Sequence, residues 1–405
     1  MRSHHLPLLG LLACAAPART PVRPGIEVLL ADSLALVAHR RVGLLTNQTG
    51  VDRAGRRDVD LLRGLVTVLF SPEHGFAGTE DRPDLPDATD SSTGLPIYSL
   101  YRAAPAAALA ALDRVDVLVV DLQDIGARYY TYAPLAAWFL GEAARRDKPV
   151  VVLDRPDPLG GLLVQGNVAA PARRGESGPV AVLPVPMRPG MTIGELLRFA
   201  NDALGLGARL TVVPAAGWRR AMFYDETGLP WVRPSPNMPD LESALHYPGL
   251  CLFEGTNLSV GRGTPVAFQV VGAPWLDTTA VLGALRRGDP GWDGALRGVA
   301  VSGVVFVPHA PSDGKYDGVP LPGLRLRVTD RRHYDPTKAA VVLLAALRAV
   351  HGDSLRFRAE HFDRLAAGPA LREAVLAGRP PAEIWGAWTP ALAAFVRARA
   401  RYLLY

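Results

Sequence analysis

Four apolar runs in the first half of the chain each end abruptly in polar side chains. Arg41-Val42-Gly43-Leu44-Leu45 leads to Thr46-Asn47-Gln48, and Val66-Thr67-Val68-Leu69-Phe70 leads to Ser71-Pro72-Glu73-His74-Gly75. Val115-Asp116-Val117-Leu118-Val119-Val120 leads to Asp121-Leu122-Gln123-Asp124, and Pro149-Val150-Val151-Val152-Leu153 leads to Asp154-Arg155-Pro156. Runs this continuous fit strands buried on both faces of a parallel sheet. The Ala- and Leu-rich stretches 104–112 and 134–146 between them read as crossover helices. The alternation predicts an α/β fold with a Rossmann-like, doubly wound, mostly parallel sheet. Ligands of such sheets bind at the carboxyl ends of the strands, so Asn47, Glu73, His74, Asp121, Gln123, Asp124 and Asp154 are expected on one rim.

Between residues 218 and 231 the pattern changes, and Pro and Gly thicken into Arg233-Pro234-Ser235-Pro236-Asn237-Met238-Pro239, an extended segment. Beyond it, strands are expected at 301–307 and 324–328 and helices at 337–350, 371–377 and 390–399. The expected organisation is a leader and linker (1–22), a Rossmann-like N-terminal catalytic domain (23–230), and a smaller α+β C-terminal domain (231–405) that completes a cleft.

Composition narrows the function. The chain has 405 residues, 49% of them hydrophobic, and a formal charge of +5. Nearly all basic side chains are Arg, the lysines being Lys148, Lys315 and Lys338, and no basic block interleaves with aromatic residues. Nucleic acid is therefore not expected as a partner. At the N-terminus, Arg2 precedes an apolar run from Leu6 to Ala13 and then Cys14. That is the layout of an export signal, and Cys14 sits where a bacterial lipoprotein is lipidated. The expectation is an exported protein, periplasmic or membrane-anchored, that meets a membrane only through that N-terminal lipid. Cys251 is the one other cysteine, so lipidation of Cys14 leaves no pair for a disulfide.

Several chemistries lack their residues. The sequence has no dinucleotide Gly-x-Gly-x-x-Gly after its first strand, no Gly-Lys-Ser/Thr phosphate loop, no His-Glu-x-x-His and no Gly-x-Ser-x-Gly. Neither a cofactor nor a metal is expected. Carboxylate chemistry remains, and Glu73 leads it. Pro72 stiffens the approach to Glu73 and Gly75 lets the chain turn, while Phe70 and Phe76 are expected as apolar neighbours that raise the carboxyl pKa. A proton donor of that kind suits glycoside hydrolysis, which also needs a second group across the sugar. Asp121, Asp124, Glu254 and Tyr247 are open candidates for that group, as is a 2-acetamido group on the substrate itself.

Longer motifs then fall in order: Ser-Pro-Glu-His-Gly-Phe (71–76), Thr-Gly-Leu-Pro-Ile-Tyr-Ser-Leu-Tyr (93–101) and Asp-Leu-Gln-Asp-Ile-Gly-Ala-Arg-Tyr-Tyr-Thr-Tyr (121–132). Pro-Gly-Met-Thr-Ile-Gly-Glu-Leu (189–196), Pro-Ser-Pro-Asn-Met-Pro (234–239), Tyr-Pro-Gly-Leu-Cys-Leu-Phe-Glu-Gly-Thr-Asn-Leu-Ser (247–259) and Phe-Asp-Arg-Leu (362–365) follow. From about Gly25 onward the chain resembles the NamZ family of exo-β-N-acetylmuramidases. The resemblance implies a Rossmann-like domain, a smaller C-terminal domain and a cleft between them. It also implies release of N-acetylmuramic acid from non-reducing ends of peptidoglycan fragments, with Glu73 as the catalytic acid. Asp121 and Tyr247 complete the expected catalytic set. Asn47, His74, Gln123, Asp124, Asn237, Glu254 and Asn257 are expected to bind substrate. Arg128 and Arg262 are the candidates for the lactyl carboxylate of muramic acid, since a guanidinium pairs with carboxylates through two parallel bonds. The chain departs from the family pattern at Pro189, Val260 and 169–178, which leaves a non-catalytic, lipid-anchored wall-binding protein as the alternative.

Overall fold

The computed structural model describes residues 21–405 apart from 83, 103–104, 171–182, 289–291 and 293. Cys14 lies outside the described residues. The first unit is built on β1 (Val42–Thr46), β2 (Val66–Ser71), β3 (Ala88–Thr89), β4 (Pro96–Ser99), β5 (Val117–Asp121), β6 (Val150–Leu153), the hairpin β7 (Gln165–Val168) and β8 (Pro186–Arg188), and β9 (Leu210–Val213). Seven of these form one sheet in the order β3-β4-β2-β1-β5-β6-β9, parallel except for β3. Taken alone, the parallel strands lie in the order third, second, first, fourth, fifth, sixth, which is the Rossmann arrangement.

Burial explains why the four runs are legible as strands. Every residue of β1, β5 and β6 is buried. Alternate side chains serve opposite faces: Leu118 and Val120 join the core under helices Ala106–Asp113, Tyr132–Arg145 and Ile193–Ala203, while Val117 and Val119 join that of helix Gly25–Asp32. The second unit is an antiparallel sheet, β10 (Val270–Gly272), β12 (Leu321–Val328) and β11 (Val299–Phe306), backed by helices Thr278–Arg287 and Leu241–Leu250, on which helix Pro336–His351 packs in turn. The expected second-half helices are found at Pro336–His351, Ala370–Leu376 and Thr389–Arg399. One apolar cluster contains both Leu135 of the first unit and Leu343 of the second, so the two share a core. The chain also doubles back: the Tyr405 hydroxyl donates to Oδ2 of Asp154 (2.7 Å) and accepts from the Ala215 amide (2.8 Å).

The crevice where the strand order reverses, between β1 and β5, is filled by protein. Arg155 donates from Nε and Nη2 to the two oxygens of Asp121 (2.5 and 2.9 Å), and Asp121 is 0% exposed. Beside them Thr46 donates to Asp58, whose pKa is pushed well above the ordinary range by burial and by Asp121. The expectation that Asp121 is catalytic is corrected by this ion pair, because both its oxygens are spent and no solvent reaches it. Gln123 is likewise turned inward, donating to the Asp124 and Pro156 carbonyls (2.7 and 2.9 Å). Asp154 is a fastening point, accepting from the Thr192 hydroxyl (2.7 Å) and the Gly194 amide (2.8 Å) at the start of helix Ile193–Ala203.

Asp124, expected to touch substrate, is also buried, at 5% exposure, and accepts from the Gly126 amide (2.8 Å). Burial pushes its pKa up to about 7, against backbone bonds from Gly126, Ala133 and Ile125.

Both buried charges can be tested by unfolding. Arg155→Met leaves Asp121 without its counter-charge, so urea unfolding at pH 7 is expected to show a loss of about 3–5 kcal/mol, less at pH 5 where the carboxyl takes a proton. For Asp124, the folded chain holds a proton up to about pH 7 that the unfolded chain releases near 3.8. More protons are bound in the folded state across that interval, so this group's stabilisation is full below about pH 4 and is lost as pH rises through about 7. Asp124→Asn cannot ionise, so wild-type stability minus that of the variant should fall by up to about 4 kcal/mol between pH 4 and pH 8, at ~1.4 kcal/mol for each pH unit that separates the folded and unfolded pKa values. A flat difference would mean that Asp124 is ionised throughout.

Candidate active site

Glu73 lies just beyond β2, where the chain turns sharply. His74 (φ 70°) and Gly75 (φ 75°) are consecutive left-handed residues, a conformation that Gly adopts freely and His does not. The cost at His74 is of order 1–3 kcal/mol. It is offset by a hydrogen bond between its Nδ1 and the Glu80 carbonyl (2.6 Å). A carbonyl only accepts, so Nδ1 carries a proton. This turn aims Glu73 into a cavity of about 260 Å³ between the two units.

The partners of Glu73 differ from expectation. Phe70 is fully buried in the sheet core, edge-on to Phe139, and Phe76 packs on the other side of the turn with Arg57 over its ring; neither lines the cavity. Hydroxyls flank the carboxyl instead. Thr131 donates to its Oε2 at 2.5 Å, and the Tyr101 hydroxyl lines the same cavity, with burial and then Glu73 raising the Tyr101 pKa. Hydroxyls donate to a carboxylate and accept from a carboxylic acid, so the same two neighbours serve both protonation states. A group that gives up and recovers a proton needs this.

Thr131 is held in place by residues expected to touch substrate. It precedes helix Tyr132–Arg145, whose first turn lies near enough to Asp124 for the Ala133 amide to oppose the rise of its pKa. Asn47 donates to the Tyr132 hydroxyl (2.8 Å), which donates to the Pro234 carbonyl (2.5 Å). Asn47 borders a different hollow, of about 590 Å³, across the His74 turn. Asn47 and Asp124 thus brace the site from behind and do not line it.

The far wall comes from the second unit. Tyr247 lines the cavity from helix Leu241–Leu250, edge-on to Tyr129, Tyr130 and Phe268. Burial pushes its pKa well above the ordinary value, so it offers an O–H and no phenolate. Glu254 accepts from Nε of Arg262 (2.5 Å) and from the Cys251 thiol (3.5 Å). Asp81, which sequence reasoning missed, accepts from Asn237 (2.6 Å) and Arg262 (3.4 Å), joining the two units across the cavity. Asn257 is not part of the site: it donates to the Ser354 carbonyl (2.9 Å) and accepts from the Arg356 amide (2.9 Å).

Both arginines proposed for a ligand carboxylate line the cavity but are otherwise engaged. Arg262 is paired with Glu254 and Asp81. Arg128 donates from Nη1 to the Asn167 and Val185 carbonyls (2.6 and 3.1 Å) and from Nη2 to Asn167 Oδ1 and the Leu365 carbonyl (3.1 and 3.0 Å). Its two Nη groups are tied to protein oxygens, which corrects that expectation, while its buried Nε is left without a partner among the described residues. Tyr101, Thr131 and Arg364 lay within recognised motifs, whereas Asp81 and His361 gave no periodic or spacing signal. Among the described residues no group of three or more His, Cys, Asp or Glu side chains is arranged to hold a metal.

Comparison with known proteins places this geometry. Residues 42–242 match the family model described as exo-β-N-acetylmuramidase NamZ, N-terminal, and residues 245–405 match its C-terminal counterpart. The peptidoglycan β-N-acetylmuramidase NamZ of Bacillus subtilis is 34% identical over 95% of this chain and 91% of its own length. A DUF1343 family protein from Bacteroides fragilis superposes with a TM-score of 0.85 at 31% identity, over 96% of this chain and all of that one. A second DUF1343 protein from the same organism gives 0.74 at 28% identity, over 95% and 99%. With both halves matched in order, and a glutamate presented from a Pro-Glu-His-Gly turn into the cavity between them, the chain belongs to the NamZ family of glycoside hydrolases.

Proposed function

We propose that this protein is an exo-acting muramidase that releases N-acetylmuramic acid from non-reducing ends of peptidoglycan fragments, with Glu73 as the general acid. The observation that carries the reading is Glu73 itself, held by the Thr131 hydroxyl and facing a cavity of about 260 Å³ that Tyr101 also lines. The named activity of the Bacillus subtilis relative supports the substrate class. Glu73 gives its proton to the bridging oxygen as the bond from that oxygen to C1 breaks. Water then supplies the new oxygen on C1 and returns a proton to Glu73. The two other carboxylates of the cavity, Asp81 and Glu254, both lie against Arg262, on the same cavity as the positive charge that develops at C1.

Glu73→Gln keeps the shape and removes the proton, so turnover of a chromogenic β-N-acetylmuraminide is expected to fall by about 10²–10⁴-fold. Thr131→Val, which removes one hydroxyl support, is expected to lower kcat by roughly tenfold and leave KM nearly unchanged, an effect of about 1.4 kcal/mol. Wild-type protein that binds the glycoside without hydrolysing it would establish the non-catalytic alternative instead.

We also propose export with a lipid on Cys14, on the strength of Arg2 and the apolar run before that cysteine. Metabolic labelling with palmitate should mark the wild type and not Cys14→Ala; equal labelling of both, or of neither, rejects the anchor.

A further inference from the structure

Three arginines line the cavity, and two are committed to protein partners. The third, Arg364, is exposed, and its described hydrogen bond runs from Nη2 to Nδ1 of His361 (2.8 Å). Among the described residues no carboxylate lies within 4.0 Å of it. We infer that Arg364 recognises the substrate's carboxylate, and that its pairing with the lactyl group selects muramic acid over glucosamine. The inference rests on the muramidase reading above and deepens it.

The setting of Arg364 is built and not incidental. His361 and Arg364 stand three positions apart on helix Ala359–Ala366, and so share a face. That helix is pinned at both ends of the contact. Gly255 gives it a seat, since a Cβ there would lie 2.5 Å from the Cα of Phe362, which is fully buried. At the other end the Leu365 carbonyl is held by Arg128 (3.0 Å) and the Ala366 carbonyl by Asn167 (2.6 Å). Arg128, expected to bind the carboxylate itself, therefore acts as a positioning residue for the arginine that does.

His361 reinforces the site. A guanidinium only donates, so Nδ1 of His361 accepts and the ring proton sits on Nε2. Burial, and then Arg364, lowers the His361 pKa and keeps the ring neutral. That Nε2 is buried and has no partner among the described residues. An acceptor entering beside Arg364 would satisfy it, and a carboxylate has two oxygens to share between the guanidinium and the imidazole. Glu73, Tyr101 and Arg364 line the same cavity, so the acid and the guanidinium face one ligand.

Two chromogenic β-N-acetylmuraminides test this, one with the free lactyl acid and one with the lactyl amide. The wild type should favour the acid. In Arg364→Gln, kcat/KM for the acid should drop by about 10- to 100-fold, mainly through KM, as loss of a charge-assisted hydrogen bond implies. The amide should change less than about threefold, and Arg364→Lys should retain part of the preference. An unchanged acid-to-amide ratio in Arg364→Gln, or an equal fall for both substrates, overturns the inference. Calorimetric binding of free N-acetylmuramic acid to Glu73→Gln, with and without Arg364→Gln, separates the two levels. Absent hydrolysis by the wild type rejects the enzymatic reading alone, whereas binding that is indifferent to Arg364 rejects the carboxylate assignment.

Discussion

The relation between the two units depends on one buried charge. Arg128 sits at 3% exposure with no carboxylate against it, and burial depresses its pKa accordingly. Taking a guanidinium out of water costs several kcal/mol unless its donors are satisfied. Here the acceptors are neutral oxygens from β7, from the segment before β8, and from the helix that ends at Ala366. A hydrogen bond from a charged donor is worth about 1.5–3 kcal/mol, so the four from the Nη groups offset much of the desolvation, while the buried Nε stays without a partner among the described residues. Because those oxygens belong to segments far apart in the chain, the charge is stable only when all of them are in place. The cavity's width is set by that condition.

Above this clamp the cavity balances its charges. Arg128, Arg262 and Arg364 face Glu73, Asp81 and Glu254 around its lining. The balance is uneven in space: two carboxylates share Arg262, Glu73 has only hydroxyls, and Arg364 has only an imidazole. A neutral sugar carrying one carboxylate completes the set without burying an unpaired charge. The resulting selectivity comes from what the empty site lacks and not from its shape alone.

Much of the fold was legible because burial on two faces writes a continuous apolar run, as in β1, β5 and β6. β9 escaped notice because its residues are half exposed at the sheet edge, and β4 because only Ile97 and Ser99 of its four residues are buried. Glu73 and His74 could be found from the strand-to-turn sequence that presents them. Asp121, Gln123 and Asp124 obeyed the same rule and misled, since the rule locates residues at a strand's end without saying which way they point. Their direction is decided by Arg155, 34 residues beyond Asp121, and by carbonyls that no spacing reveals. Arg364 lay within the Phe-Asp-Arg-Leu motif but its role did not show there: an exposed Arg on a short helix looks like any solvated residue until the two other cavity arginines prove to be engaged.

The bond between Asp154 and Tyr405 bears on how the chain is made. Asp154 closes the end of a central strand and caps a helix, yet one of its partners comes 251 residues later. During synthesis the sheet must wait, with that carboxylate incompletely partnered, until the whole second unit has left the ribosome. The first unit, although translated first, therefore gains this one of its bonds only after the second has been made.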